Sequence, residues 1–243
     1  MRPAKKVTAG SDTGKRVLLS DQRVSLSGVT NARELGGYGN TDNKEIKRGR
    51  LIRSGSLYPA TTEDKRMLSE LYRVGTVIDF RTPREAAEKP DPALAARYYN
   101  LPVLDSSEGT GTAGLYLKML FDEGARRAYK RFFELLLASD VKQAVLFHSE
   151  RGNDRTGVAA ALLLTVLGVP EDIVTEDYLL SNKAYERAEP SDITISPTVY
   201  AHSLDYAFTT AKIEYGSVIS YINNEIGLNN KDIGELRHKY LSE

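Results

Sequence analysis

Two rhythms of apolar and polar residues alternate along the chain. The first is short and continuous. Thr76–Phe80 (TVIDF) and Ala144–His148 (AVLFH) are compact apolar runs with β-branched residues, the pattern of strands buried on both faces in a parallel sheet. Val24-Ser25-Leu26 alternates like a short half-buried strand. Turn signals at Gly36-Gly37 and Thr41-Asp42-Asn43 follow, and Glu45–Ile52 is expected to return as a second short strand. Tyr98–Leu101 is a further strand candidate.

The second rhythm has helical spacing. Met67, Leu68 and Leu71 predict a helix over Glu63–Arg73 with Thr62 as its N-cap. Ala125–Ala138 repeats the pattern, with Arg126, Arg127, Lys130 and Arg131 on the outer face. Thr156–Leu167 is apolar almost all round and is stopped by Gly168 and Pro170. Helical patterns continue over Glu171–Arg187, Leu204–Ile213 and Ser217–Ile226. A last helix opens at Asn229, with Ile233, Leu236 and Tyr240 on one stripe. Strands alternating with helices imply an α/β fold: a central, mostly parallel sheet flanked by helices. Residues 1–22 are polar and read as a mobile lead-in, leaving 23–243 as one domain.

Composition narrows the function classes. Hydrophobic residues make up 41% of the 243, enough for a sizeable core. Lys+Arg and Asp+Glu are both 33, which argues against a dedicated nucleic-acid partner. Up to Arg53, 12 basic residues face 5 acidic ones, a local excess of 7 that reads as a solvated basic face unless it flanks an anion site. With no long apolar run, integral membrane association is not expected. The N-terminal stretch lacks the apolar core of a signal peptide, so the sequence leaves cytoplasmic and processed secreted forms open. There is no cysteine, and His148, His202 and His238 are far apart, so neither a zinc site nor any other metal or cofactor is expected.

The chemistry concentrates in AVLFHSERGNDRTGVAAALLLTVLG. A buried strand ends at His148, a tight loop follows, and a helix begins near Arg155 or Thr156. Such a loop directs several backbone N–H groups and the helix dipole at one point, which suits a phosphate. Gly152 permits a close approach or a backbone angle that a side chain would forbid. Arg155 can present two parallel donors to two phosphate oxygens. A GxxxxGK[ST] nucleotide loop is absent. A serine-hydrolase elbow is also excluded, because Phe147 and Arg151 stand where its glycines belong.

The spacing His148-Ser149-x-x-Gly152-x-x-Arg155-Thr156 resembles the His-Cys-x-x-Gly-x-x-Arg-Thr/Ser signature of cysteine-dependent protein tyrosine phosphatases. Three further segments resemble the bacterial tyrosine/phosphoinositide, dual-specificity type. These are Asn31-Ala32-Arg33-Glu34-Leu35-Gly36-Gly37-Tyr38, Gly49-Arg50-Leu51-Ile52-Arg53-Ser54-Gly55-Ser56 and Val77-Ile78-Asp79-Phe80-Arg81-Thr82-Pro83-x-Glu85. The ordered matches run from about residue 23 to 180. The resemblance implies a phosphatase-like domain with a helical lid insertion near 105–125 or 185–215. It implies metal-free hydrolysis through a phosphocysteine, with a phosphotyrosine protein as first-choice substrate and a phosphorylated small molecule or lipid headgroup as the alternative. The phosphate would lie on Glu150, Arg151, Gly152, Asn153, Asp154 and Arg155, with His148 and Thr156 in support.

Serine at position 149 departs from that pattern. Its hydroxyl stays protonated near neutrality, whereas a thiolate at a helix N-terminus does not. Two origins compete: an engineered, substrate-trapping replacement, preferred because every other phosphate-binding position is retained, or a natural pseudophosphatase. The resemblance makes Asp154 a general-acid candidate, against a role as a helix N-terminal carboxylate. Asp79 is a second candidate, against a role in holding Arg81 or Arg155. Asn153 stands where lipid-active members carry lysine. Arg33, Arg53 and Arg81 are expected in salt bridges rather than on substrate.

Overall fold

A computed structural model describes residues 22–105, 113–185 and 198–243. Five strands form one sheet: β1 (Arg33–Glu34), β2 (Leu51–Ser54), β3 (Val74–Asp79), β4 (Arg97–Asn100) and β5 (Ala144–His148). Their order is β1-β2-β5-β3-β4, with only β1 antiparallel. The late strand β5 is inserted at the centre, parallel to β2 and β3. Ser54 and Asp79 are both register partners of His148, so three strands finish together at one edge. Ligand sites of open parallel sheets lie at this carboxyl edge.

The alternation of side chains splits the core in two. Leu51, Ile78, Val145 and Phe147 face one layer; Ile52, Val77, Ala144 and Leu146 face the other. In the larger layer Phe80, Phe132 and Phe147 pack edge-on, with ring centroids 5.2–6.3 Å apart. Most of the helices lie here: α3 (Ala113–Phe121), α4 (Glu123–Ala138), α5 (Asp154–Val166), α6 (Glu171–Tyr185), α7 (Ala201–Tyr215), α8 (Val218–Tyr221) and α9 (Asn230–Tyr240). From Thr156 to Leu164 every residue of α5 is buried, which accounts for its apolar sequence on all sides. The smaller layer is closed by the 24–32 segment and by α1 (Thr62–Arg66), which runs on as a π-helical turn, Met67–Leu71.

Several expected elements shift. Thr61, not Thr62, caps α1: its hydroxyl accepts from the Asp64 amide while the Asp64 carboxylate takes the Thr61 amide, a reciprocal capping box. Asp64 is held there by the Ser27 and Gly28 amides as well. Val24–Leu26 is not a strand; Arg23 alone bridges to Arg33. The return after the Gly36-Gly37 turn pairs only at Glu45 and Ile46, and regular β2 begins at Leu51. Residues 186 and 187 of the expected Glu171–Arg187 helix and most of the lead-in lie outside the described residues. Of the two lid regions, α3 and α7 are described and pack together; 106–112 and 186–197 are not described. Among the described residues no helix is long and apolar enough to cross a membrane.

One polar cluster ties the helical layer to the sheet. Asp177 of α6 is fully buried and accepts from Arg33 Nε (3.1 Å), Arg53 Nη1 (2.5 Å) and Tyr38 Oη (2.9 Å). Burial alone would raise its pKa, but the two guanidiniums outweigh it and hold the carboxyl below its ordinary value. A depressed native pKa adds stability at pH above the unfolded value, about 4, that is lost as pH falls through the native one. Asp177→Asn should therefore lower unfolding free energy near neutrality by about 3–5 kcal/mol and flatten the acid limb of a stability–pH profile. Denaturant titrations from pH 7 down to pH 3 measure both, and an unchanged acid limb would contradict the cluster's role.

Candidate active site

Between β5 and α5 the chain makes the turn Ser149–Asn153 at the carboxyl edge of the sheet. Every carbonyl on its outer side is tied down. Glu150 O accepts from the Ser56 amide at 3.1 Å. Arg151 O accepts from Tyr185 Oη at 2.6 Å and Asn31 Nδ2 at 3.2 Å. Gly152 O accepts from Asn31 Nδ2 at 3.1 Å and Arg53 Nη2 at 2.9 Å. There is no cis peptide among the described residues, and in a planar trans unit the following N–H points opposite to the carbonyl. The amides of Arg151, Gly152 and Asn153 therefore turn away from these clamps. N–H groups so placed just ahead of a helix N-terminus are of the kind that suits an anion.

Gly152 is required by two constraints. Its φ is +69°, and a Cβ would lie 2.4 Å from the Ser54 carbonyl oxygen. Close approach of β2's end to the loop is thus bought with a missing side chain. Asn31, which closes the loop from outside, also bonds Asn153 Oδ1 at 2.9 Å and accepts from Arg33. The Asp177 cluster and the loop clamps are consequently one continuous network.

Arg155 leaves α5 in its first turn and is gripped end-on by Glu85 of α2 (Pro83–Glu88), with Nη1–Oε2 2.6 Å and Nη2–Oε1 2.9 Å. The Thr82–Glu85 capping box fixes α2, so the guanidinium plane is set by a rigid helix start. A guanidinium carries five N–H groups, and these two bonds engage two of its nitrogens. Ser149 is buried at 2% exposure, and its Oγ accepts from Thr156 Oγ1 at 2.8 Å. That partner is a donor rather than a base. It would favour an anion at position 149 but cannot remove a proton from an alcohol.

Asp154 and Asp79 are placed differently. Asp154 is half-buried, and its carboxyl bonds the phenol of Tyr116 from α3, which also bonds Tyr178 Oη at 2.5 Å. Burial raises the Asp154 pKa despite the lowering effects of Tyr116, Arg155 and Arg151. Asp79 is wholly buried behind the loop. Its oxygens take Arg81 Nε at 3.0 Å, Arg81 Nη2 at 2.7 Å and Tyr98 Oη at 2.8 Å. Burial opposes its ionisation, but His148 and Arg81 prevail and its pKa is lowered. Asp79 is thus engaged with Arg81, away from Arg155.

His148 Nε2 lies 2.7 Å from Asp91 Oδ2, and its Nδ1 is 3.9 Å from Asp79. Asp79, Asp91 and His148 converge closely enough to suggest a cation site. The Arg81 guanidinium already bridges both carboxylates, at 2.7 and 2.8 Å, and would repel a second cation there. Glu150 pairs with Lys89 at 2.6 Å. Arg151 is half-buried at the mouth.

Several residues of this site escape sequence reasoning. Glu85 and Asn31 stand inside the quoted segments, but only the fold shows what they hold. Asp177 had one readable signal: it shares the buried stripe of α6 with Val174, Tyr178 and Ser181, an acid on an apolar face. Tyr116, Tyr185, Lys89 and Asp91 carry no signal in sequence.

Comparison with known proteins gives the family. A family model described as the tyrosine phosphatase family matches residues 24–242. A protein of Cupriavidus necator, provisionally named a tyrosine-protein phosphatase, is 27% identical over 241 residues, covering 88% of this chain and 86% of that one. A tyrosine-protein phosphatase of Nostoc commune is 32% identical over 159 residues, covering 58% of this chain and 51% of its own. The core catalytic domain of the PP-IP phosphatase SIW14 from S. cerevisiae aligns with a TM-score of 0.45 at 15% identity, covering 84% of this chain and 92% of that one. With the family model spanning nearly the whole described fold, the chain belongs to the tyrosine phosphatase family.

Proposed function

We propose that this fold hydrolyses phosphomonoesters, phosphotyrosine first, through a nucleophile at position 149, and that the chain with Ser149 binds phosphorylated ligands without turning them over. One observation carries the reading: the loop carbonyls are tied outward while Arg155, braced by Glu85, stands at the start of α5. Fixed donors of this kind stabilise the charge that spreads over the equatorial oxygens in phosphoryl transfer. A cysteine at position 149 would sit at the same helix N-terminus and take the Thr156 hydroxyl as a donor. Both features favour the thiolate. The serine hydroxyl has no such anionic form near pH 7. A natural pseudophosphatase is the second reading, favoured by the same contact, because the Ser149 oxygen meets a donor where a working alcohol would need a base.

Asp154 is the proton donor in this scheme. Its raised pKa keeps the carboxyl protonated to a higher pH than a free aspartate, and α3 supplies the Tyr116 phenol that holds it. Arg151 to Asn153 contribute backbone amides, Arg155 its guanidinium, and Thr156 and His148 support the loop from the side away from substrate.

Ser149→Cys should restore turnover of an aryl phosphate without added metal, by several orders of magnitude, with each tenfold worth about 1.4 kcal/mol of barrier. Vanadate and a thiol alkylator should block it. A variant that binds phosphate normally yet stays inert would hand the case to the pseudophosphatase reading.

In that active variant, the rate on substrates with poor leaving groups should be full at low pH and fall as pH rises through the Asp154 pKa. Asp154→Asn should remove this limb and slow poor leaving groups far more than good ones. Equal slowing of both would leave Asp154 a structural role only.

In the Ser149 chain, calorimetry should find inorganic phosphate bound. Arg155→Ala should weaken that binding by at least tenfold, on the scale of about 1.5–3 kcal/mol for a charged hydrogen bond. Undiminished binding would remove Arg155 from the site.

A further inference from the structure

Several charges around the loop are already matched, and this bears on which phosphorylated groups can enter. Arg155 is paired with Glu85, and Arg81 with Asp79 and Asp91. Lys89 carries an ammonium on the same side and is half exposed, at 53%. It donates to Glu150 Oε1 at 2.6 Å, and Glu150 directly follows Ser149. The other Glu150 oxygen is buried without a hydrogen bond, 4.0 Å from Arg81 Nη1. An anion-binding loop thus carries a carboxylate of its own, and that carboxylate holds the nearest lysine.

We infer that Glu150 is a specificity-determining residue that selects singly phosphorylated groups, such as a phosphotyrosine side chain, over groups bearing a second phosphate. This rests on the phosphate-binding reading of the loop. The loop amides, Arg155 and the half-buried Arg151 satisfy one phosphate. A second phosphate would need another cation at the mouth. Lys89 is the exposed one on this side, and Glu150 neutralises it. Removing the Glu150 charge frees Lys89 and reverses the preference. The half-buried Arg151 lies on the loop itself, within range of Asp154 and Tyr185, and stays available to the first phosphate.

The test uses the Ser149 chain, which needs no turnover, and two probes, phosphotyrosine and an inositol bisphosphate, measured by calorimetry at low salt. The unmodified chain should prefer phosphotyrosine. Glu150→Gln should tighten the bisphosphate by roughly fivefold more than phosphotyrosine, the effect of about one unit charge at a partly solvated site. Adding Lys89→Ala to Glu150→Gln should cancel that differential gain, since the two residues act as a pair. Raising the salt should shrink it. Equal tightening of both probes, or a differential gain that survives Lys89→Ala, overturns the inference while leaving the loop's phosphate site intact. If neither probe nor inorganic phosphate binds the unmodified chain, the phosphate-binding reading itself fails, and this inference with it.

Discussion

Asp177 places one carboxylate, out of water, between the guanidiniums of Arg33 and Arg53, with the Tyr38 phenol as a third donor. Taking three charges into the interior is costly unless each is matched. Here the matching also fixes geometry. Arg53 reaches on to Gly152 O, and Arg33 reaches Asn31, which holds Arg151 O, Gly152 O and Asn153. The outward pull on these carbonyls turns the following amides inward. The orientation of the loop amides is therefore a consequence of the buried ion cluster behind it, and in the proposed reading the loop is organised before any ligand arrives. Burial and the neighbouring Arg33 pull the Arg53 pKa down to about 10, which still leaves it charged at neutral pH.

A second network lies on the opposite flank. Arg81 gathers Asp79, Asp91, the Ser56 hydroxyl and the Lys89 carbonyl, and Asp91 in turn meets His148. This network fixes the end of β5 and the start of α2, and α2 carries Glu85 to Arg155. Ser149 stands where the two flanks meet. The arrangement separates labour: buried ion pairs set positions, and in the proposed reading the backbone amides, Arg151, Arg155 and Asp154 are left for the ligand. α3 adds Tyr116 to Asp154, so helical structure contributed by a segment outside the sheet reaches the loop.

How much of this was legible in sequence depends on the physical kind of signal. β3 and β5 stood out because strands buried on both faces read as unbroken apolar runs, and α5 because it is buried all round. The tight turn between β5 and α5 was legible because its requirements are local: a glycine at positive φ and a helix start directly after it. β1, with two paired residues, has no periodicity to detect. The cap of α1 was misplaced by one residue because Thr61 and Thr62 are chemically equivalent, and only the reach from Asp64 distinguishes them. Asp79 shows the limit most clearly. A carboxylate at the end of a buried strand has the same sequence signature whether it faces a cleft or a neighbouring arginine, and here Arg81, two residues on, claims it. Long-range partners such as Asp177 for Arg33, 144 residues apart, become visible only in the folded chain.

If, as we propose, this loop's inward amides form an oxyanion site, backbone amide NMR of the Ser149 chain during titration with inorganic phosphate will show it. The resonances of Arg151, Gly152, Asn153, Asp154 and Arg155 should move together and saturate with one dissociation constant, ahead of all others. Saturable shifts confined to other parts of the molecule, or none at all, would contradict the account.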